Sequence, residues 1–565
     1  MEIRSALVAV AAFAGALATP GCGGEGIDGP SDAAAEASAP ADALPDGPDD
    51  ATAVLPVDAP AETPADSPAP PPARVDYLVV TADGLTTTAN AFAAYRETTG
   101  HATKVLAMSD LPDGGPGAAD AARVAAIKAA VAGAYAERDP SRPFYVLIVG
   151  DAAATGIPAG ASVPVEHTTV GWEPGPSDNG FADVDGDHVP DLAVGRIPVR
   201  TDAEGATVLE KVKRHESSYE PGPWNRRLVA YAGEGDFGPE QDAAIELAAQ
   251  KGFEELSYDW DIEFAYDNPD SLYWYSPFPA KVRDMLTEGA VLAVYMGHGG
   301  GETPGDVHGM TALHRFPIAA FFACGTGDFT MPFDSDPERL MKQPGALFEL
   351  VVSSITTHPY GNAVLARELE VALFAERPET FGEAFRRMKW RAMYNDDGFR
   401  QLLDSFAVLF MPEWEMADVR RSHVYSYNLL GDPALRVRAS PAAVRVEVAP
   451  DPAARGGALE VSGTVAGIDG GVAHVTLEVD RLTVPWDLTP VDDPHAPAWQ
   501  GKVQENWAKA MNKVVAEADL PIAGGAFSGE VAVPANVPPG LCYVKVLAAD
   551  ATRDAIGHAP VVIRK

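Results

Sequence analysis

Between Val75 and Val437 the chain alternates short, uninterrupted apolar runs with longer amphipathic stretches, and few architectures accommodate that alternation. The runs are Asp76–Thr81, Phe144–Val149, Leu192–Val199, Arg227–Ala232, Val291–Met296, Ile318–Ala323 and Ala346–Ser353. Period-two alternation is missing from them, so each reads as a strand buried on both faces, the condition of a parallel sheet under helices. Helical patterns fall between them, near 90–97, 118–136, 202–220, 240–251, 280–288, 362–375 and 379–393. Strands alternating with helices predict βαβ units and a doubly wound, mostly parallel sheet. One such series lies on each side of residue 221, which predicts two α/β subdomains, 75–220 and 221–440.

After Val437 the periodicity changes. Ala443–Val448, Ala458–Val461, Ala473–Val479, Gly529–Val533 and Cys542–Leu547 alternate with period two between Gly/Pro turns. That pattern predicts a C-terminal β-sandwich, immunoglobulin-like, over 441–565. At the other end, Arg4 precedes a short apolar stretch, Ala6–Ala18, which reads as a signal segment over 1–21 rather than a membrane span. Cys22 follows small residues in the manner of a lipoprotein signal, where it would carry the lipid. The competing reading is a simple cleaved leader. Residues 22–74 are rich in Ala, Pro and acidic side chains, and predict a disordered, extended tether.

The net charge of −39 argues against nucleic acid as a partner, because phosphate contacts need clustered Lys and Arg. Only three cysteines are present, Cys22, Cys324 and Cys542, so no disulfide framework is readable. Cys542 lies in an alternating strand and reads as core. His308, His314 and His358 lack partners at zinc-ligand spacing, and no zinc is assigned.

Chemistry concentrates at the ends of two apolar runs. Val291–Met296 runs into Gly297-His298-Gly299-Gly300, and Ile318–Ala323 into Cys324-Gly325-Thr326-Gly327. Sites of open α/β sheets lie beyond the carboxyl ends of the strands. Two neighbouring strands would bring an imidazole and a thiol to one rim, a nucleophile with its acid/base partner. Taken singly, each residue reads as a buried thiol or a satisfied histidine.

The segments Tyr295-Met-Gly-His-Gly299, Ala323-Cys-Gly-Thr-Gly-Asp328, Asp191-Leu-Ala-Val-Gly-Arg-Ile-Pro198, Ala232-Gly-Glu-Gly235 and Tyr427-Asn-Leu-Leu-Gly-Asp-Pro433 stand in the order of one family. Together they resemble the gingipain family of cysteine peptidases, within the caspase-like clan. The resemblance implies two caspase-like α/β subdomains, the second catalytic, and a sandwich after them. It implies Cys324 as nucleophile, His298 as general acid/base, and the backbone N–H groups of Gly299 and Cys324 as oxyanion donors. Glu234 matches the family carboxylate that orients the histidine, with a plain surface glutamate as the other reading. Asp242 matches the pocket residue of Arg- and Lys-cleaving members, although Asp is also favoured in a helix's first turn. The aromatic lid those members carry is replaced here by Thr357-His-Pro-Tyr360.

Asp183, Asp185, Asp187 and Asp191 offer four carboxylates in a Gly-containing loop. They suit structural Ca2+ or a solvated acidic loop, and the glycine position excludes an EF-hand. The chemistry itself needs no cofactor. The expected activity is that of a cysteine endopeptidase acting on protein or peptide substrates, at the bacterial cell envelope or secreted, touching membrane through a lipid anchor only. A sortase-type transpeptidase and a catalytically silent surface-binding protein remain the alternatives.

Overall fold

The uninterrupted apolar runs become strands with both faces covered. β1 (Tyr77–Thr81), β3 (Tyr145–Val149), β6 (Ala193–Ile197) and β10 (Ile318–Phe322) are buried at every position. The computed structural model describes residues 74–565 apart from 116–117, 154, 171–172, 234, 237, 301–314, 409–410, 441 and 494–495. Cys22 with the expected leader and tether, Glu234, His308 and His314 therefore lie outside the described residues.

One sheet takes in both halves of the α/β region, where two had been expected. Its order is β2-β1-β3-β6-β12-β11-β10-β9-β7-β8. The further strands are β2 (Thr103–Ala107), β7 (Arg227–Ala232), β8 (Asp261–Tyr266), β9 (Leu292–Met296), β11 (Leu350–Ser353) and β12 (Tyr427–Leu430), while β4 (Glu166–Thr168) and β5 (Gly175–Ser177) pair by themselves. All neighbours are parallel except β11 and β12. The sheet is thus two parallel blocks of opposite direction, joined where β12 pairs antiparallel with β11, while β12 itself lies parallel to β6 at Leu430 and Arg196. β12 returns from residues beyond the catalytic strands to complete the first block, a long-range pairing that local patterning cannot register.

The junction is held by charges buried inside the family motifs. Arg196 is fully buried and grips Asp178 with Nε at 2.6 Å and Nη2 at 2.7 Å. Asp432 accepts from Tyr77 Oη at 3.0 Å and from Arg96 Nε at 2.9 Å. A side chain at Gly195 would run into the Gly431 carbonyl, so the two motifs meet backbone to backbone.

Helices cover both faces, among them α1 (Thr86–Thr98), α2 (Asp120–Ala136), α3 (Asp202–Ser217), α4 (Pro239–Glu255), α5 (Phe278–Glu288), α6 (Asp336–Lys342), α7 (Pro359–Glu370), α8 (Phe381–Tyr394), α9 (Gly398–Ala407) and α10 (Met416–Ser426). Thr201 and Glu204 form a capping box that starts α3. α5 turns Phe278, Val282, Met285 and Leu286 into the core at helical spacing.

The C-terminal strands close into a ring where a sandwich had been expected. With β15 (Ala458–Val465) and β18 (Ala526–Ala532), the order β13-β15-β18-β17-β16-β19-β20 returns to β13, while β14 (Ala453–Ala454) pairs with the end of β20. β20 (Asp554–Arg564) is the closing element, lying antiparallel to β19 (Gly540–Ala549) and parallel to β13 (Ala442–Ala449). Gly557 and Pro560 interrupt its apolar alternation. Gly557 is required, because a Cβ there would strike the Val444 carbonyl. The helix α11 (Gln500–Met511) lies between β16 (Gly470–Val479) and β17 (Val514–Ala523).

The ring docks on the α/β unit beside α4. Arg481 donates to the carbonyls of Phe253, Leu256, Ser257 and Trp260 at 2.5–2.9 Å, covering orphan carbonyls at the end of that helix. Tyr543 stacks on Tyr258 with centroids 3.4 Å apart, and Trp507 Nε1 donates to Phe264 O at 3.0 Å.

Candidate active site

Sheet register brings the predicted pair to one rim. Ala232, Met296 and Phe322 lie in one row across β7, β9 and β10. The residues that follow, Gly233, Gly297-His298 and Ala323-Cys324, leave the same edge. Gly233 N donates to Met296 O at 3.3 Å, extending the β7–β9 ladder to the rim.

Cys324 is partly exposed, while Ala323 before it is fully buried. Thr357 receives it from the end of the neighbouring strand β11. Thr357 N–H points at Sγ from 3.4 Å and Thr357 Oγ1 from 3.6 Å. Sγ also lies 3.5 Å from Thr357 O as a donor, so the Thr357 backbone holds the sulfur from both sides. Thr357 is itself fixed by Asn362 Nδ2 at 3.0 Å, and Tyr427 Oη donates to Asn362 Oδ1 at 2.7 Å. Sequence reading noted this segment only as a missing lid; its place at the end of the strand beside β10 was the available signal.

His298 is exposed on the rim. Its Nε2 lies 2.9 Å from Gly235 O. A carbonyl only accepts, so Nε2 is the donor in this contact. Tyr295 Oη donates to His298 O at 2.8 Å and steadies the turn. Gly299 abuts Cys324: a Cβ on it would collide with the Cys324 carbonyl oxygen and sit 3.3 Å from its carbon. The two predicted oxyanion donors thus belong to touching backbone segments.

His298, Cys324, Gly235, Asp242 and Thr357 line one cavity of about 490 Å³ that runs inward between α4, α7 and α9. Asp242 lies in the first turn of α4, with its N–H on Gly238 O at 2.9 Å, and its carboxylate packs beneath Gly235. Deeper in the same cavity are two carboxyls that sequence reading did not single out. Glu246 accepts from Ser271 Oγ at 2.8 Å and Gln250 Nε2 at 2.9 Å. Burial raises it, and burial drives Glu370 up to about 8. Both sit at helical positions that read as ordinary polar faces. His358 also lines the wall, with burial lowering its pKa.

The acidic loop gathers three of its four predicted carboxylates. Oxygens of Asp183, Asp185 and Asp187 lie within 4.8 Å of one another. Asp191 stands apart as a brace, accepting from Val184 N at 2.7 Å and Asp185 N at 3.3 Å. A second acidic group, Asp151, Asp334 and Glu338, was not anticipated. Arg200 bonds Asp151 at 2.6 Å and Asp334 at 3.1 Å, and Lys342 bonds Asp334 at 2.8 Å, so that group is an ion-pair network.

The sequence profile of peptidase family C25 matches residues 70–438, from β1 through the β12 turn. The chain belongs to this family, the gingipain family, and is a cysteine-type peptidase. The crystal structure of the Arg-specific cysteine proteinase gingipain R aligns over 87% of this chain and 98% of that one, at 16% identity and TM-score 0.47. The complex of Porphyromonas gingivalis RgpB pro- and mature domains aligns over 86% and 100%, at 16% identity and TM-score 0.45. A structure described only as a protease aligns over 86% and 97%, at 15% identity and TM-score 0.49. No curated protein matches the chain.

Proposed function

We propose that the chain is a secreted or surface-anchored cysteine endopeptidase that works through Cys324 and His298. The observation that carries this reading is the contact between the Gly299 and Cys324 backbones at the mouth of the cavity. Cys324 Sγ attacks the scissile carbonyl and forms a C–S bond. The oxyanion that results is held by N–H of Gly299 and of Cys324. Protonated His298 gives its proton to the leaving amine as the C–N bond breaks, then takes one from the water that cleaves the thioacyl-enzyme. Glu234 is the proposed carboxylate partner of His298, and Gly235 O is the acceptor beside it.

Asp242 is the proposed selector of Arg or Lys before the scissile bond, since a desolvated carboxylate rewards a matching cation. Asp183, Asp185 and Asp187 are proposed to hold structural Ca2+, and Cys22 to carry a lipid anchor. Among the described residues no helix is long and apolar enough to cross a membrane.

Cys324→Ala or His298→Ala is expected to abolish peptide hydrolysis with the circular dichroism spectrum intact, because both residues sit on the rim. Turnover by a folded Cys324→Ala protein would remove the mechanism. Supplying a peptide amine alongside water separates hydrolysis from transpeptidation, since both share the thioacyl-enzyme. Cys22→Ser is expected to shift the protein from the membrane to the soluble fraction.

A further inference from the structure

The cavity behind Cys324 continues past the catalytic pair. Asp242 stands near its mouth, and Gly252 lies roughly 15 Å further along α4 at about 1.5 Å per residue. Around Gly252 the lining includes Phe253, Phe264, Phe399, Leu403 and the carboxyl of Glu370 on α7, while the other deep carboxyl, Glu246, is already held by Ser271 and Gln250. Glu370 is 5% exposed, and no hydrogen bond or ion pair reaches it from any described residue. The cation one turn before it, Arg367, is engaged by Glu255, Glu368 and Asp397 at 2.7–3.0 Å. A buried carboxyl with no partner stays protonated or waits for a cation to fill the space in front of it.

Gly252 supplies that space. Glycine is disfavoured inside a helix, and nothing here requires it. A Cβ would meet Phe399 Cζ at 3.4 Å and Glu370 Oε2 at 4.0 Å, both ordinary contacts. Its missing side chain keeps the cavity open beside Glu370.

We propose that the deep end of this cavity binds an organic cation, an ammonium or guanidinium on an apolar stem, with Glu370 as its counter-ion. The stem lies against the phenylalanines and Leu403, and the charged head displaces the proton of Glu370. The reading relies on the proposed peptidase mechanism only for what stands at the mouth. The cation is a free amine, because the site lies roughly 15 Å beyond Asp242, past the reach of an Arg or Lys side chain that enters beside Cys324.

Titration calorimetry on the Cys324→Ala protein tests the site without any turnover, so a failure to cleave peptides leaves this experiment intact. The probes are 4-phenylbutylamine and 4-phenylbutanol, which share a stem. The amine is expected to bind at least about thirtyfold more tightly, the low end for a buried charge pair. Adding Glu370→Gln brings the amine down to the alcohol. Adding Gly252→Met, which fills the apolar end and keeps the carboxyl, weakens both probes. Equal binding of amine and alcohol, or an unchanged amine affinity in the Glu370→Gln protein, overturns the proposal. With active enzyme, 4-phenylbutylamine is expected to leave KM for a lysyl substrate unchanged. A rise in KM at constant kcat would place the amine at the mouth and overturn the proposal.

Discussion

Gly299→Ala puts the geometry of the rim to its sharpest test. The added Cβ would overlap the Cys324 carbonyl oxygen and lie 3.3 Å from its carbon. Comfortable carbon contacts begin near about 3.5 Å, so the His298–Gly299 turn and the Cys324 turn must part by about 1 Å. That displacement moves the Gly299 N–H away from the oxyanion. Loss of one oxyanion donor costs about 10²–10³ in kcat, or ~2.7–4 kcal/mol. Displacement of about 1 Å alone costs on the order of 10². We expect kcat to fall by about 10²–10³ with KM nearly constant. The fold should hold, because Gly299 is exposed and the turn can yield outward. Alkylation of Cys324 by iodoacetamide forms no oxyanion, so its rate should stay near wild type and separate this defect from loss of the thiolate. A folded Gly299→Ala enzyme with wild-type kcat would falsify the assignment of Gly299 to the oxyanion.

Asp242→Asn should lower kcat/KM on Arg or Lys substrates by about 2–5 kcal/mol and spare neutral ones; equal losses on both would reduce Asp242 to a helix-start residue. Arg481→Ala strips four carbonyls at and beyond the end of α4 of their donor. Urea titration should show a loss of about 3 kcal/mol, the scale of buried groups left unpaired. Glu370→Gln should change how stability follows pH. The folded carboxyl titrates at about 8, because burial raises it more than Arg367 lowers it. Unfolded glutamate titrates near ~4.3. Between these values the folded state holds the extra proton, so wild-type stability falls as pH rises through that window and levels off above it. The Tm advantage of Glu370→Gln should therefore grow from about pH 5 to pH 8; a difference independent of pH would contradict the burial argument. Cys542 is buried and its thiol is pushed up to about 11, so a thiol reagent that labels Cys324 in the folded protein should leave Cys542 untouched.

Much of the scaffold was readable because its determinants are local. The seven apolar runs needed only burial on both faces to become strands. Helices such as α3 and α5 needed a cap and a 3.6-residue stripe. The C-terminal ring was misread because β20 carries Gly557, with no side chain, and Pro560, with no N–H, inside its alternation. Gly557 is explained only once β13 lies across it. β12 escaped notice for a related reason, since its partners β6 and β11 are distant in sequence.

His298 and Cys324 could be picked out because glycine turns after two apolar runs are a one-dimensional pattern, and a parallel sheet must carry both to one edge. Thr357, Gly235 and Glu370 could not. Each acts through a neighbour brought near by folding: Thr357 by the β10–β11 pairing, Gly235 by the β7–β9 pairing, and Glu370 by packing of α7 against α4. The sequence by itself determined which segments are buried strands and which two side chains end them. Only the tertiary structure decided what faces those side chains and how deep the cavity behind them runs. Burial is inscribed residue by residue, whereas a hydrogen bond or a cavity wall belongs to two segments at once and exists only after they meet.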